Sequence, residues 1–125
     1  MFWQIQKQHK YNAKSVIIDG LKFSSQLEAR FYRYFQDNNI PILETQPRFL
    51  LQEAFKHDGQ TIRKIEYVCD FLIEYAGYRF YIEAKGMETE AYKLKRKLWL
   101  KRYGHEKYLI VAKSLKSLEE QLTSR

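Results

Sequence analysis

The chain has 125 residues, 45% of them hydrophobic and 16% aromatic, with a formal net charge of +7. This length allows one domain with a single core, and the positive charge favours an acidic partner, either nucleic acid or an anionic membrane surface. One cysteine excludes an internal disulfide and a cysteine-cluster zinc site, no run of about 18 apolar residues is present, and the first residues lack a signal-peptide pattern, so we expect a cytoplasmic protein.

The sequence divides into two parts by composition. Residues 1–15 are predicted to form a basic, mobile arm, and residues 16–125 a single domain. Lys10 and Lys14 in the arm either contact phosphates or are simply solvated. After the arm, Asp19-Gly20 stands between two short apolar runs and can supply the positive φ angles of a tight type I′ turn. This predicts a hairpin at the start of the domain.

A helix is predicted over residues 25–38. Leu27, Phe31 and Phe35 recur at helical spacing, and Asn38-Asn39 followed by Pro41 ends the segment. Its first residues, Ser-Gln-Leu-Glu, have the pattern of a capping box. In that interpretation Glu28 bonds back to the helix start and has only a structural role.

Strands are predicted in the middle of the chain. Residues 41–55 are expected to form a loop and then a strand, with Phe49 and Phe55 in the core, and residues 57–60, His-Asp-Gly-Gln, to form a turn. Residues 61–75 are predicted to be one long strand whose odd positions are uniformly apolar, so that this face packs on a helix layer. Cys69 is then a buried small hydrophobe and not a nucleophile.

The stretch from 66 to 86, EYVCDFLIEYAGYRFYIEAKG, carries the candidate chemistry. Its two limbs are rich in aromatic and β-branched residues, which predicts two strands joined at Ala76-Gly77. Counting back from the turn places Asp70 opposite Glu83 on the neighbouring strand. Lys85 lies two residues beyond Glu83 and therefore on the same face.

Two carboxylates in such a pair repel each other unless a cation neutralises them. A divalent cation such as Mg²⁺ takes oxygen ligands from one or two carboxylates together with substrate phosphate and water. Asp70 and Glu83 with the ammonium of Lys85 therefore fit metal-assisted attack on a phosphodiester. The alternative from spacing alone is an exposed sheet face on which Lys85 pairs with a carboxylate.

A second helix is predicted over residues 88–103, with Ala91, Leu94 and Leu98 facing inward. Its outer side is strongly basic, which predicts a phosphate-binding surface; a solvated amphipathic helix is the alternative. Residues 107–113 are predicted to form a short strand and residues 115–122 a closing helix. The predicted fold class is α/β, a central mixed sheet flanked by helices. The cations predicted to bind DNA from this helix are Lys93, Lys95, Arg96, Lys97, Lys101 and Arg102.

Asp70, then Glu83-Ala84-Lys85 at the end of the following strand, then Gly86 and a basic helix resemble the PD-(D/E)xK nuclease superfamily. The layout is most similar to its small phage and bacterial endonuclease-like or Holliday-junction-resolvase-like members, over roughly residues 16–112. Cys69 stands where the name-giving proline would be. The resemblance implies a restriction-endonuclease-like core in the order α-β-β-β-α-β and a bacterial cell or phage-infected host. It also implies that Glu28 contributes to the metal site.

The function expected from these features is Mg²⁺- or Mn²⁺-dependent endonuclease cleavage of DNA; whether the enzyme selects junction or flap structures is left open. Asp70 and Glu83 would hold the metal with the backbone carbonyl of Ala84, Glu28 would complete the site, and Lys85 would position the attacking water. The expected partner is DNA and not a membrane, with a homodimer or a DNA-processing complex as open alternatives. Two other functions stay open: a catalytically inactive DNA-binding protein on the same fold, and a basic interaction scaffold.

Overall fold

A computed structural model describes residues 15–124 of the chain. The predicted basic N-terminal segment, residues 1–15 with Lys10 and Lys14, lies outside the described residues except for its last residue. No helix in the described part is long and apolar enough to cross a membrane. In chain order the elements are β1 (Val16–Ile18), β2 (Leu21–Phe23), α1 (Gln26–Asp37), β3 (Ile42–Thr45), β4 (Arg48–Gln52), β5 (Phe55–His57), β6 (Gln60–Ile62), β7 (Ile65–Val68), β8 (Phe71–Tyr75), β9 (Tyr78–Ala84), α2 (Glu90–Tyr103), β10 (Tyr108–Ala112) and α3 (Leu115–Thr123).

A four-stranded sheet in the order β10-β9-β8-β3 forms the centre of the fold. β9 is parallel to β10 and antiparallel to β8, and β3 is antiparallel to β8. Residues of α1 and α3 share one buried cluster with Phe71, Ile82 and Ile110 of the sheet. A second cluster joins the aromatic residues of α2 to Tyr81 and Val111. The predicted class, a mixed sheet with helices on both faces, is therefore confirmed.

Three tight turns have the same backbone conformation. Asp19-Gly20, Asp58-Gly59 and Ala76-Gly77 all combine two consecutive positive φ angles, between 49° and 82°. Type I′ turns require this combination, and it matches the twist of the strands that they join. The predicted N-terminal hairpin is confirmed, since β1 pairs with β2 across the first turn. The predicted turn at residues 57–60 joins β5 to β6.

The register of the central hairpin agrees with the prediction over most of its length. Tyr75 pairs with Tyr78, and the ladder continues back to the pair formed by Phe71 and Ile82. Asp70 lies just beyond the ladder, in the gap between β7 and β8, so the regular cross-strand pair predicted for Asp70 and Glu83 is not formed.

The single long strand predicted over residues 61–75 is wrong. The chain forms β6, β7 and β8 there, with breaks at residues 63–64 and 69–70. Tyr67 and Cys69 pack in the α2 cluster, whereas Phe71 and Ile73 pack in the α1 and α3 cluster. The uniformly apolar odd positions therefore serve two different cores, because the chain changes direction at Asp70. Burial of Cys69 is as predicted.

The buried face of α2 also differs from the prediction. Ala91, Leu94 and Leu98, expected to face inward, are all exposed, the two leucines by 59% and 41%. Tyr92 and Trp99 are buried instead. Trp99 packs edge-on against Phe49 with ring centroids 5.5 Å apart. The larger apolar area of the aromatic side chains decides which face of this helix is covered.

The chain segment that connects β3 to β8 forms an antiparallel ribbon outside the four-stranded sheet. β4 pairs with β7, and beyond a bulge near Leu51 the ribbon continues as the hairpin of β5 and β6. Every residue from 52 to 64 is exposed. Phe55, predicted to be in the core, is 48% exposed at the start of β5.

Candidate active site

Three carboxylates reach one end of the sheet from three different elements. Glu28 lies in the first turn of α1, Asp70 in the break between β7 and β8, and Glu83 near the end of β9. Together with Ala84 and Lys85 they border an open cleft of about 1200 Å³. The predicted site residues are thus brought together. The residues that line the cleft are Ser24, Ser25, Gln26, Leu27, Glu28, Gln46, Val68, Asp70, Glu83, Ala84, Lys85, Gly86 and Met87.

Asp70 is held in place by the backbone of β9. Its amide donates to the carbonyl of Ile82 at 2.9 Å, and its Oδ2 accepts from the amide of Ala84 at 2.7 Å. The carboxylate therefore extends along β9 past the position of a regular pair. Ala84 contributes its amide to this contact and lines the cleft; metal binding by its carbonyl stays a prediction.

Glu83 is only 5% exposed, although it carries a charge at neutral pH in an ordinary environment. The hydroxyl of Tyr67 donates to its Oε1 at 3.0 Å. Burial raises the pKa of Glu83, while the Tyr67 hydrogen bond and the charge of Lys85 act in the opposite direction. Tyr67 therefore orients the carboxylate and favours its ionised form.

Glu28 is 6% exposed, lies three residues after the N-cap of α1 and lines the cleft. The Ser25 side chain accepts from the Glu28 amide, so Ser25 is the N-cap as the capping-box pattern predicts. The Glu28 carboxylate instead accepts a hydrogen bond from the hydroxyl of Ser24. The cap thus uses the backbone of Glu28 and leaves its carboxylate directed to the cleft.

Lys85 follows β9 directly and lies beside the carboxylates. Its amide donates to the carbonyl of Ala112 at 3.0 Å, which continues the pairing of β9 with β10. Its Nζ lies 4.6 Å from the ring centroid of Tyr92, the first buried residue of α2. A ring face attracts an ammonium, so Tyr92 restricts where the Lys85 charge can lie.

The electrostatics of the cleft favour a bound cation. Burial first, and then the charges of Glu83 and Glu28, raise the pKa of Asp70 well above its usual range. Ionising all three carboxylates in this partly enclosed position is costly without a positive partner. Within residues 15–124, no group of three or more His, Cys, Asp or Glu side chains is arranged to hold a metal ion by itself.

The predicted DNA-binding cations of α2 are distributed around the helix. Lys93, Lys97 and Lys101 are exposed and follow one another at four-residue spacing along one stripe. Arg96 is partly buried, pairs with Glu88 at 3.0 Å and lies over the Tyr92 ring. Lys95 is partly buried too, and Arg102 donates to the backbone carbonyl of Leu51. None of these six side chains lines the cleft.

Four residues of the site were not found from the sequence. The sequence pattern predicts only that Tyr67 packs on a helix layer and that Tyr92 lies among the cations of the basic helix, and it gives Ser24 and Gln46 no role. Gln46 has a positive φ of 53°, rare for a residue other than glycine, and its amide donates to the Asp70 carbonyl at 2.9 Å. Spacing could not indicate these residues because their contacts are made between elements distant in the chain.

A comparison with known proteins gives one match. The profile of a family described as a protein of unknown function (DUF1064) matches residues 8–119. No curated protein and no solved structure matches the chain.

Proposed function

The chain belongs to the DUF1064 family of proteins of unknown function, and we propose from its site that it is a metal-dependent endodeoxyribonuclease. One observation carries the proposal: Glu28, Asp70, Glu83 and Lys85 lie on one open cleft at the end of the sheet. We further propose that the chain is related to the PD-(D/E)xK nucleases, on the sequence pattern of Asp70 and Glu83-Ala84-Lys85. A DNA substrate would place the protein in the cytoplasm of a bacterial cell or a phage-infected host.

The cleft suits Mg²⁺ or Mn²⁺ by its charge and its donor atoms. Asp70 and Glu83 would hold the ion, with Glu28 and the Ala84 carbonyl as further oxygen donors. The raised pKa of Asp70 supports this assignment, because burial and the charges of Glu83 and Glu28 disfavour its ionised form and a bound cation would favour it. When bound, such an ion polarises the phosphodiester and lowers the pKa of its water.

The side chains of the cleft have separable roles in this proposal. Tyr67 keeps the Glu83 carboxylate oriented and ionised through its hydrogen bond. Lys85, held over the Tyr92 ring, places a positive charge beside the carboxylates, where it can offset charge that develops on the phosphate and orient the attacking water. Glu28, fixed by Ser24, can accept a proton from that water or complete the oxygen donors.

DNA is the substrate that the charge distribution favours. The net charge of +7 and the exposed stripe of Lys93, Lys97 and Lys101 match a phosphate backbone. The stripe begins one residue after Tyr92, whose ring contacts Lys85 of the cleft. A phosphate chain bound along α2 would therefore continue towards the carboxylates.

The test is a cleavage assay on labelled duplex, single-stranded, flap and four-way-junction DNA with Mg²⁺, Mn²⁺ or EDTA. We expect metal-dependent cutting that falls by at least about 100-fold in Asp70→Ala and in Lys85→Ala. Asp37→Ala is the matched control, because Asp37 is an exposed carboxylate at the end of α1. Equal cutting by wild type and Asp70→Ala would refute the proposed site.

A DNA-binding protein without cleavage activity is the second candidate. It is favoured by the position of the six predicted DNA-binding cations of α2, none of which lines the cleft that holds the carboxylates. It predicts DNA binding that does not depend on metal, and no cutting of any of the four substrates. The same assay therefore separates the two functions.

A further inference from the structure

Every residue of the hairpin formed by residues 53–64 is exposed, and its surface includes apolar side chains. Its Phe55 and Ile62 pair across the strands and are 48% and 37% exposed, on the same face. A two-stranded hairpin alone gains little stability in water, and apolar side chains held away from the core add little to it. These side chains are therefore available for contact with another molecule.

The base of this hairpin is fixed at the edge of the cleft. The ribbon of β4 and β7 that carries it begins at the pair Arg48 and Val68, and Val68 lines the cleft. The end of α2 holds the ribbon, since the Tyr103 hydroxyl donates to the Leu50 carbonyl at 2.8 Å and Arg102 to that of Leu51 at 3.1 Å. The direction in which the hairpin leaves the cleft is thus set by packing.

The other face of the hairpin is basic. Lys56 pairs with Thr61, and Arg63 lies two residues beyond Thr61, which in an extended chain is the same face. Within residues 15–124, neither Lys56 nor Arg63 forms an ion pair. Cations without an ion pair on one face and exposed apolar groups on the other suit DNA, whose grooves combine phosphates at the rim with base edges and methyl groups inside.

We propose that residues 53–64 form an arm that binds the major groove of duplex DNA, about one helical turn from the cleft. This inference rests on the proposed function and names its substrate class as B-form duplex. A two-stranded ribbon fits the major groove of B-DNA, about 12 Å wide, but not the deep, narrow one of duplex RNA. At the rise of an extended strand, residues 48–57 span at most about 30 Å, which is close to the roughly 34 Å of one DNA turn.

Two variants remove the arm or its charge. In the first, residues 53–64 are replaced by Asn-Gly, which closes the paired residues Gln52 and Ile65 with a type I′ turn. In the second, Lys56→Glu is combined with Arg63→Glu. Arg33→Glu with Lys116→Glu makes the same charge change at exposed positions of α1 and α3 and is the matched control.

Binding is measured by fluorescence anisotropy with EDTA present, so that nothing is cut, on DNA duplexes of 10 to 30 base pairs, single-stranded DNA and duplex RNA. We expect wild-type and control affinity to rise with duplex length until about two turns are covered. Both arm variants should lose about tenfold or more on long duplexes and little on the shortest. The salt dependence should fall by about two phosphate contacts in the charge variant.

The arm is refuted if its removal leaves long-duplex affinity unchanged, or if duplex RNA binds as well as DNA and loses as much in the arm variants. These outcomes are separable from failure of the nuclease proposal. Arm-dependent binding without cutting in any metal refutes the nuclease and supports the arm. Metal-dependent cutting that is unchanged in the arm variants, together with unchanged binding, supports the nuclease and refutes the arm. Absence of all nucleic-acid binding refutes both.

Discussion

The cleft and the arm depart from the usual distribution of side chains in opposite directions. In the cleft, Glu28 and Glu83 are carboxylates that are almost fully buried. In the arm, Phe55 and Ile62 are apolar side chains that are exposed. Buried charges cost stability unless they are paired, and exposed apolar groups contribute little to it.

Each departure identifies the kind of molecule that would correct it. The cleft holds three carboxylates against one ammonium, that of Lys85, and a divalent cation would supply the missing positive charge. The arm has cations and apolar groups in excess, which a nucleic-acid groove would cover. At both places we therefore expect mutations to change the free energy of unfolding and the binding of a ligand by different amounts. Measuring both quantities for each variant tests this expectation.

The largest effect is expected from one substitution made in two places. Phe71→Ala removes a side chain that is fully buried and packs edge-on against Phe35 at 5.3 Å between ring centroids. It should lower the free energy of unfolding by about 3–5 kcal/mol. Phe55→Ala in the arm should lower it by less than about 1 kcal/mol. Urea unfolding followed by circular dichroism measures both, and a similar loss for the two would contradict the assignment of residue 55 to an exposed arm.

A smaller effect, of opposite sign, is expected in the cleft. The pKa of Asp70 is raised to about 9 in the folded protein by burial and by Glu83 and Glu28, against about 4 in an unfolded chain. Between these values the folded state binds more protons than the unfolded state, so the free energy of unfolding falls as the pH rises. Asp70→Asn removes this loss and should stabilise the metal-free protein by roughly 1–3 kcal/mol at pH 8, and much less at pH 4.

The measurement is urea unfolding with EDTA at pH 4, 6 and 8. Asp58→Asn is the control in the arm, because a type I′ turn accepts either residue and Asp58 is exposed. Glu83, whose pKa is raised to about 7, should leave part of the pH dependence in Asp70→Asn. Equal pH dependence of the unfolding free energy in wild type and Asp70→Asn would mean that folding does not raise the pKa of Asp70.

The smallest expected change concerns the support of Glu83. Tyr67→Phe deletes the hydroxyl that donates to the carboxylate and should raise the pKa of Glu83 further. We expect Mn²⁺ affinity, measured by isothermal titration calorimetry, to fall about tenfold, with about 1 kcal/mol lost in stability. Tyr78→Phe, at the opposite end of β9 and 57% exposed, is the control and should bind the metal as wild type does.

Local sequence signals predicted much of the fold correctly. The turns at Asp19-Gly20 and Ala76-Gly77 are formed, α1 begins after its N-cap Ser25, and the predicted closing helix is present as α3 after its N-cap Ser114. Each signal depends on residues within a few positions of one another, where backbone conformation and capping hydrogen bonds decide the outcome. The register of the central hairpin follows from its turn in the same way.

Other features required the packed structure. The break at Asp70, the exposed Leu94 and Leu98, and the exposure of Phe55 each contradict a periodicity that was sound within its own segment. A periodic pattern shows that one face is apolar, but competition between faces for a shared core decides which is covered.

The sequence by itself determined the turns, the helix caps, the strand partners around Ala76-Gly77 and the residue types available for chemistry. Only the tertiary structure decided that Glu28 joins Asp70 and Glu83, that Tyr67 and Tyr92 support the cleft, and that residues 53–64 leave the body as an arm. The reason is physical: the first group depends on interactions between near neighbours in the chain. The second depends on contacts between elements far apart in sequence, which form only when the sheet and its helices pack together.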